Sequence, residues 1–75
     1  MKLTKKYTGH YKSITKGMYI TIERNWCTKE NYWTLTIYKG NEKNYMYNEE
    51  LFFTRCNRKK DCLEVAQYQI NELNK

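Results

Sequence analysis

From Met18 to Asn25 the chain alternates: Met18, Ile20 and Ile22 fall on one face of an extended backbone, and Tyr19, Thr21, Glu23 and Asn25 on the other. The pattern returns from Tyr32 to Lys39, with Trp33, Leu35 and Ile37 set against Tyr32, Thr34, Thr36 and Tyr38. A period of two is the signature of a half-buried strand. Both stretches are rich in β-branched and aromatic residues, which suit a pleated surface. Strands with one apolar face must bury it against another layer, and that requirement fixes most of what the remaining residues can do.

The covering layer is legible near the C-terminus. Leu63, Ala66, Ile70 and Leu73 recur at i, i+3, i+7 and i+10, with Cys62 and Gln69 alongside, and so form one apolar stripe over three helical turns. Asp61 and Glu64 stand near the start, where the helix dipole favours acids. Asn57 reads as the N-cap, with Thr54 as the other candidate.

Between these segments the signals are weaker. Residues 26–31 read as a loop, and Gly40-Asn41 as a tight turn. A further strand starts near Asn44, with Tyr45 and Tyr47 on one face and Met46 and Asn48 on the other. A bulge near Asn48 to Glu50 then shifts the register before Leu51, Phe52 and Phe53. Gly9 to Ile14 reads as an edge strand. The expected fold is α+β: three or four antiparallel strands in a meander, packed against one C-terminal helix. Trp33, Leu35, Ile37, Ile20 and Ile22 should meet Leu63, Ala66, Ile70 and Leu73, with Phe52 and Phe53 also buried. Residues 1–75 make a single domain, of which 1–16 form a basic, flexible arm or an edge strand.

A chain of 75 residues buries only about 60% of its unfolded surface. It has few aliphatic residues but eight tyrosines, so aromatics must contribute to the core. No segment has the length and apolarity of a signal peptide or a membrane span. Three cysteines, an odd number, suit a reducing compartment better than a disulfide framework. The expectation is a soluble cytoplasmic protein that does not engage membranes.

Catalytic and metal motifs are missing. His10 is the only histidine, no acidic residue lies near it in sequence, and a Ser–His or Cys–His pair would have to use Ser13 or one of the three cysteines with nothing marking the site. No glycine-rich phosphate loop occurs. Cys27, Cys56, Cys62 and His10 have the ligand types of a Cys₃His zinc set, but no two of the cysteines have the short spacing of a zinc knuckle. Cys62 reads instead as a small core residue, and Cys27 and Cys56 as loop thiols. The chain is therefore read as non-enzymatic, without cofactor or metal.

Charge is unevenly placed. The formal net charge is +6. Residues 1–17 hold five lysines and no acid, while the central residues 18–53 are close to neutral. A second basic group, Arg55, Arg58, Lys59 and Lys60, lies at the helix start, where cations oppose the dipole and free N–H groups invite an anion. The first functional expectation is a small nucleic-acid-binding module. Its phosphate contacts would be Lys2, Lys5, Lys6, Lys12, Arg55, Arg58, Lys59 and Lys60. The order strand–strand–strand–helix is similar, in topology alone and without shared motif residues, to small DNA-binding modules such as the arm-site domains of tyrosine recombinases and plant AP2-type domains. The alternative is a protein-interaction or inhibitor module using a tyrosine-rich sheet face, with Tyr19, Tyr32 and Tyr38 at the contact. Either module would be a monomer or a weak homodimer joined through a sheet edge.

Overall fold

A computed structural model of the chain describes residues 3–25, 31–40 and 48–74. Among the described residues five strands precede one helix: β1 (Thr4–Tyr7), β2 (His10–Thr15), β3 (Met18–Arg24), β4 (Trp33–Lys39), β5 (Glu50–Cys56) and α1 (Lys59–Leu73). They form one antiparallel sheet in the order β1-β2-β3-β4-β5, so each strand pairs only with its neighbours in sequence. The fold class is α+β as expected, but the strand count is five, not three or four. The N-terminal segment supplies the difference. Read as an arm or a single edge strand, it is a hairpin, with Thr4 opposite Lys12 and Tyr7 opposite His10.

Two glycines make these hairpins possible. Thr8-Gly9 joins β1 to β2, with Gly9 at φ +82°. Lys16-Gly17 joins β2 to β3, and both residues have positive φ, +51° and +76°. Two consecutive left-handed residues define the type I′ turn, whose twist matches that of the flanking strands. A lysine bears the first of them at a steric cost that glycine avoids.

The alternation in the sequence decides the core. Ile20 pairs with Ile37 and Ile22 with Leu35, so the four stack on one face. All four are fully buried, together with Cys62, Ala66 and Ile70 of α1. The buried helix positions are i, i+4 and i+8, and the helix rests on β3, β4 and β5. Leu73 leaves the stripe at the last turn and is 40% exposed. Leu3, Tyr11, Trp33 and Phe52 extend the core at its margins.

Three local expectations are corrected. The N-cap is Arg58, not Asn57 or Thr54, and no side chain caps the helix N-terminus. Phe53 is 52% exposed, because its partner Thr36 places it on the face opposite the helix. Cys56 ends β5 against the core and is not a loop thiol. The expected register shift near β5 is present: Ile37 faces Phe52 but Tyr38 faces Glu50, which leaves Leu51 as the extra residue. The strand expected from Asn44 and the loop at 26–30 lie outside the described residues.

The sheet face away from the helix was expected to be open and polar. Its centre is buried instead: Tyr19 has no exposed surface, and Thr21 and Thr36 are nearly as covered. Tyr19 lies opposite Tyr38 in the ladder and stacks on it, with centroids 6.3 Å apart. Exposed apolar surface on this face belongs to the outer strands, at Tyr7, Ile14 and Phe53.

Candidate binding site

One row of side chains crosses this second face from edge to edge. The register aligns Tyr7 with His10, His10 with Glu23, Glu23 with Thr34, and Thr34 with Arg55. Residues paired across a ladder point to the same side, so all five strands contribute one group each. The first four members of the row floor an open recess of about 300 Å³, walled by Gly9, Arg24, Asn25 and Tyr32 as well. A second recess, between Tyr32, Arg55 and Asn57, shares Tyr32 with the first.

His10 organises the row. It is 3% exposed, and its Nδ1 lies 3.0 Å from both Glu23 Oε1 and the Tyr7 hydroxyl. The Tyr7 ring leans on the imidazole, with centroids 4.9 Å apart. Nε2 is buried and has no hydrogen-bond partner among the described residues. These contacts assign the tautomer. A neutral ring protonated on Nδ1 donates to the Glu23 carboxylate, and its bare Nε2 buries no donor. Protonation of Nε2 would bury one without an acceptor. Accordingly the His10 pKa is lowered. Burial is the chief cause, opposed by the Glu23 charge and assisted by Lys6 and Lys12. The imidazole is thus a neutral clamp on the Glu23 carboxylate, whose side chain is 45% exposed.

Aromatic and cationic groups frame the carboxylate. The Tyr7 side chain is 57% exposed even though its hydroxyl is held. On the far side the Arg55 guanidinium lies over the Tyr32 ring, 5.0 Å from the centroid. Thr34 donates weakly, at 3.4 Å, to the Glu23 carbonyl.

The eight basic residues expected to act together fall on two surfaces. Lys6, Lys12 and Arg55 lie about the recess, Lys6 and Lys12 near enough to act on His10. Lys5 and Lys59 converge on the helix side at Tyr11: Lys5 pairs with it across the ladder, and Lys59 Nζ sits 3.6 Å from its ring centroid. Arg58 turns to Asp61, with Nε 3.5 Å from Oδ2. Lys60 is exposed on the helix, and Lys2 lies outside the described residues. The helix start is therefore less an anion cradle than its composition suggests, since Arg58 and Lys59 already have partners. Of the three tyrosines proposed for a protein contact, Tyr19 is excluded from any surface by its burial, and Tyr32 and Tyr38 are half-buried.

His10 and Glu23 were missed as a pair because they are far apart in sequence. The signal was available in the strand alternation, which places Glu23 on the face opposite Ile20 and Ile22, but the partner strand and its turn had to be known. Cys56 and Cys62 meet on the helix side, away from His10, and hydrogen-bond each other. Burial and that bond push the Cys62 thiol up to about 12. Among the described residues no three His, Cys, Asp or Glu side chains are placed to hold a metal ion, and no helix is long and apolar enough to cross a membrane. Compared with known proteins, the chain matches no family model, no curated protein and no solved structure.

Proposed function

We propose that this protein is a non-enzymatic nucleic-acid-binding module whose contact surface is the recess at the end of the sheet and its basic margin. One observation carries the reading. The exposed ring of Tyr7 and the arginine-stacked ring of Tyr32 border a recess floored by His10 and Glu23, with Lys6 and Lys12 acting on His10 and Arg55 opposite Thr34 on the same face. Unpaired bases stack on such rings, and flanking cations hold the phosphates between them. The +6 charge of the whole chain favours encounter with a polyanion. Lys5 and Lys6 on the short, fully exposed β1 discourage pairing of one sheet edge with another, so the module acts as a monomer.

The test is a fluorescence anisotropy titration with labelled single-stranded and duplex DNA and RNA at about 50 and about 200 mM salt. Binding of micromolar strength or tighter, with affinity falling steeply between the two salts, is expected. Tyr7→Ala should weaken single-strand binding by about 1–3 kcal/mol, the usual worth of one stacked base. Absence of binding at the lower salt would sink the proposal. A protein contact would then be the better reading, favoured by exposed Ile14 and Phe53 on the same sheet face.

A further inference from the structure

A carboxylate is an odd component of a nucleic-acid site. Glu23 shares its sheet face with Lys12 and Arg55, cations that would serve phosphates, and its own charge repels phosphates. It is also held in place: His10 Nδ1–H fixes Oε1 at 3.0 Å, while the side chain stays 45% exposed at the recess. A buried neutral histidine that orients a half-exposed carboxylate prepares an acceptor pair for donors arriving from outside. In a nucleic acid those donors are on the base edges.

We propose that the recess takes one unpaired guanine, and that the Glu23 carboxylate accepts hydrogen bonds from its N1–H and exocyclic N2–H groups. The inference rests on the nucleic-acid reading above. The choice of base follows from the pattern of donors. Guanine alone offers two adjacent donors on its Watson–Crick edge, which match the two oxygens of a carboxylate. Adenine and cytosine set their amino group beside a ring-nitrogen lone pair, which repels the second oxygen. Thymine and uracil flank one N–H with two carbonyl oxygens. Tyr7 and Tyr32 supply stacking surfaces beside the recess, and the volume of about 300 Å³ accommodates a single base. In a duplex these guanine donors are already used, so the site selects single strands. His10 is a positioning residue that acts through Glu23.

The experiment compares short oligothymidines that carry one central guanine, hypoxanthine, adenine, cytosine or thymine, titrated against the wild-type chain and Glu23→Gln. Wild type should bind the guanine strand at least about fivefold tighter than the all-thymine strand, the least expected of a good bidentate base contact. Hypoxanthine keeps N1–H but lacks the amino group and should fall between. Adenine and cytosine should gain nothing. Glu23→Gln keeps an oxygen for His10 Nδ1–H, so the local fold survives, and it removes a charge that repels phosphate. It should bind the all-thymine strand as well as wild type or better, yet lose the guanine preference. A merely structural role for Glu23 would instead weaken every strand alike and would overturn the proposal. Equal affinity for all central bases in wild type would overturn the guanine site and leave the nucleic-acid reading standing, whereas no binding to any strand would remove both.

Discussion

His10 and Glu23 face each other across the β2–β3 ladder, and their side chains meet at 3.0 Å although thirteen positions separate them in the chain. The pair joins a buried imidazole to a half-exposed carboxylate. It ties the stability of the sheet to pH and places a fixed acceptor at the surface.

The sign of that pH dependence follows from the lowered His10 pKa. The unfolded chain takes up a proton near 6.5, and the folded chain only at lower pH. Between the two values the unfolded state binds more protons, so stability rises with pH there. His10 thus contributes stability that is fully present above 6.5 and is lost as pH falls through the folded value. Urea unfolding at a series of pH values from about 8 to about 5 should show a falling midpoint below 6.5, a loss absent from His10→Asn. Glu23→Gln removes the charge that raises the His10 pKa and should carry the loss to lower pH. A midpoint that is flat across this range in wild type would contradict the neutral-clamp assignment.

The β2–β3 turn should respond with opposite signs at its two residues. Lys16 holds φ +51°, and asparagine tolerates that region better. Lys16→Asn should raise stability by about 0.5–1 kcal/mol. Gly17 holds φ +76° with nothing within 4 Å of an added Cβ. Gly17→Ala should therefore lower stability by about 1–2 kcal/mol through backbone strain alone. Thermal unfolding of the two variants measures both effects, and a neutral Gly17→Ala would refute the turn assignment.

The helix start offers a contrast with Arg55. Arg58 occupies the N-cap without capping, and its exposed bridge to Asp61 contributes little. Arg58→Ser should stabilise the helix by about 0.5–1 kcal/mol. Because Arg58 lies apart from the recess, the same variant should leave nucleic-acid affinity within about twofold, against a larger loss for Arg55→Ala. Equal losses for the two would return the helix start to the binding surface.

Cys62 should be chemically silent. Its thiol is fully buried, and its pKa of about 12 leaves almost no thiolate at neutral pH. Alkylation of the native protein followed by peptide mass spectrometry should find Cys62 unmodified and find it labelled once the chain is unfolded in urea. Rapid native labelling would show that the helix does not seal against β5.

The parts of the fold read correctly from sequence are those where packing and periodicity agree. Ile20, Ile22, Leu35 and Ile37 alternate because one face is buried, and Ala66 and Ile70 recur because one helix stripe is. The reading failed where local signals were left to compete. The β1–β2 hairpin has only Tyr7, Tyr11 and Ile14 for pattern, and its turns announce themselves through single glycines. Tyr19, Thr21 and Thr36 look like solvent-facing strand formers, and nothing in an alternation says that the second face is covered too. Proximity in sequence groups the basic residues, whereas strand register sends Lys5 to Tyr11 and leaves Lys6 near His10. The row from Tyr7 to Arg55 draws one residue from each strand, and only the completed ladder makes it visible.

The helix lies on β3, β4 and β5, while β1 and β2 are held chiefly by their ladders and by Leu3 and Tyr11 at the core margin. The amide protons of the first hairpin should accordingly exchange with solvent sooner than those of the strands beneath the helix. Tyr7 and His10 ride on that faster-opening part, and Glu23, Thr34 and Arg55 on the slower one. The recess straddles the seam between them, so an occupant that bridges it would slow exchange in the hairpin without changing the backbone's path.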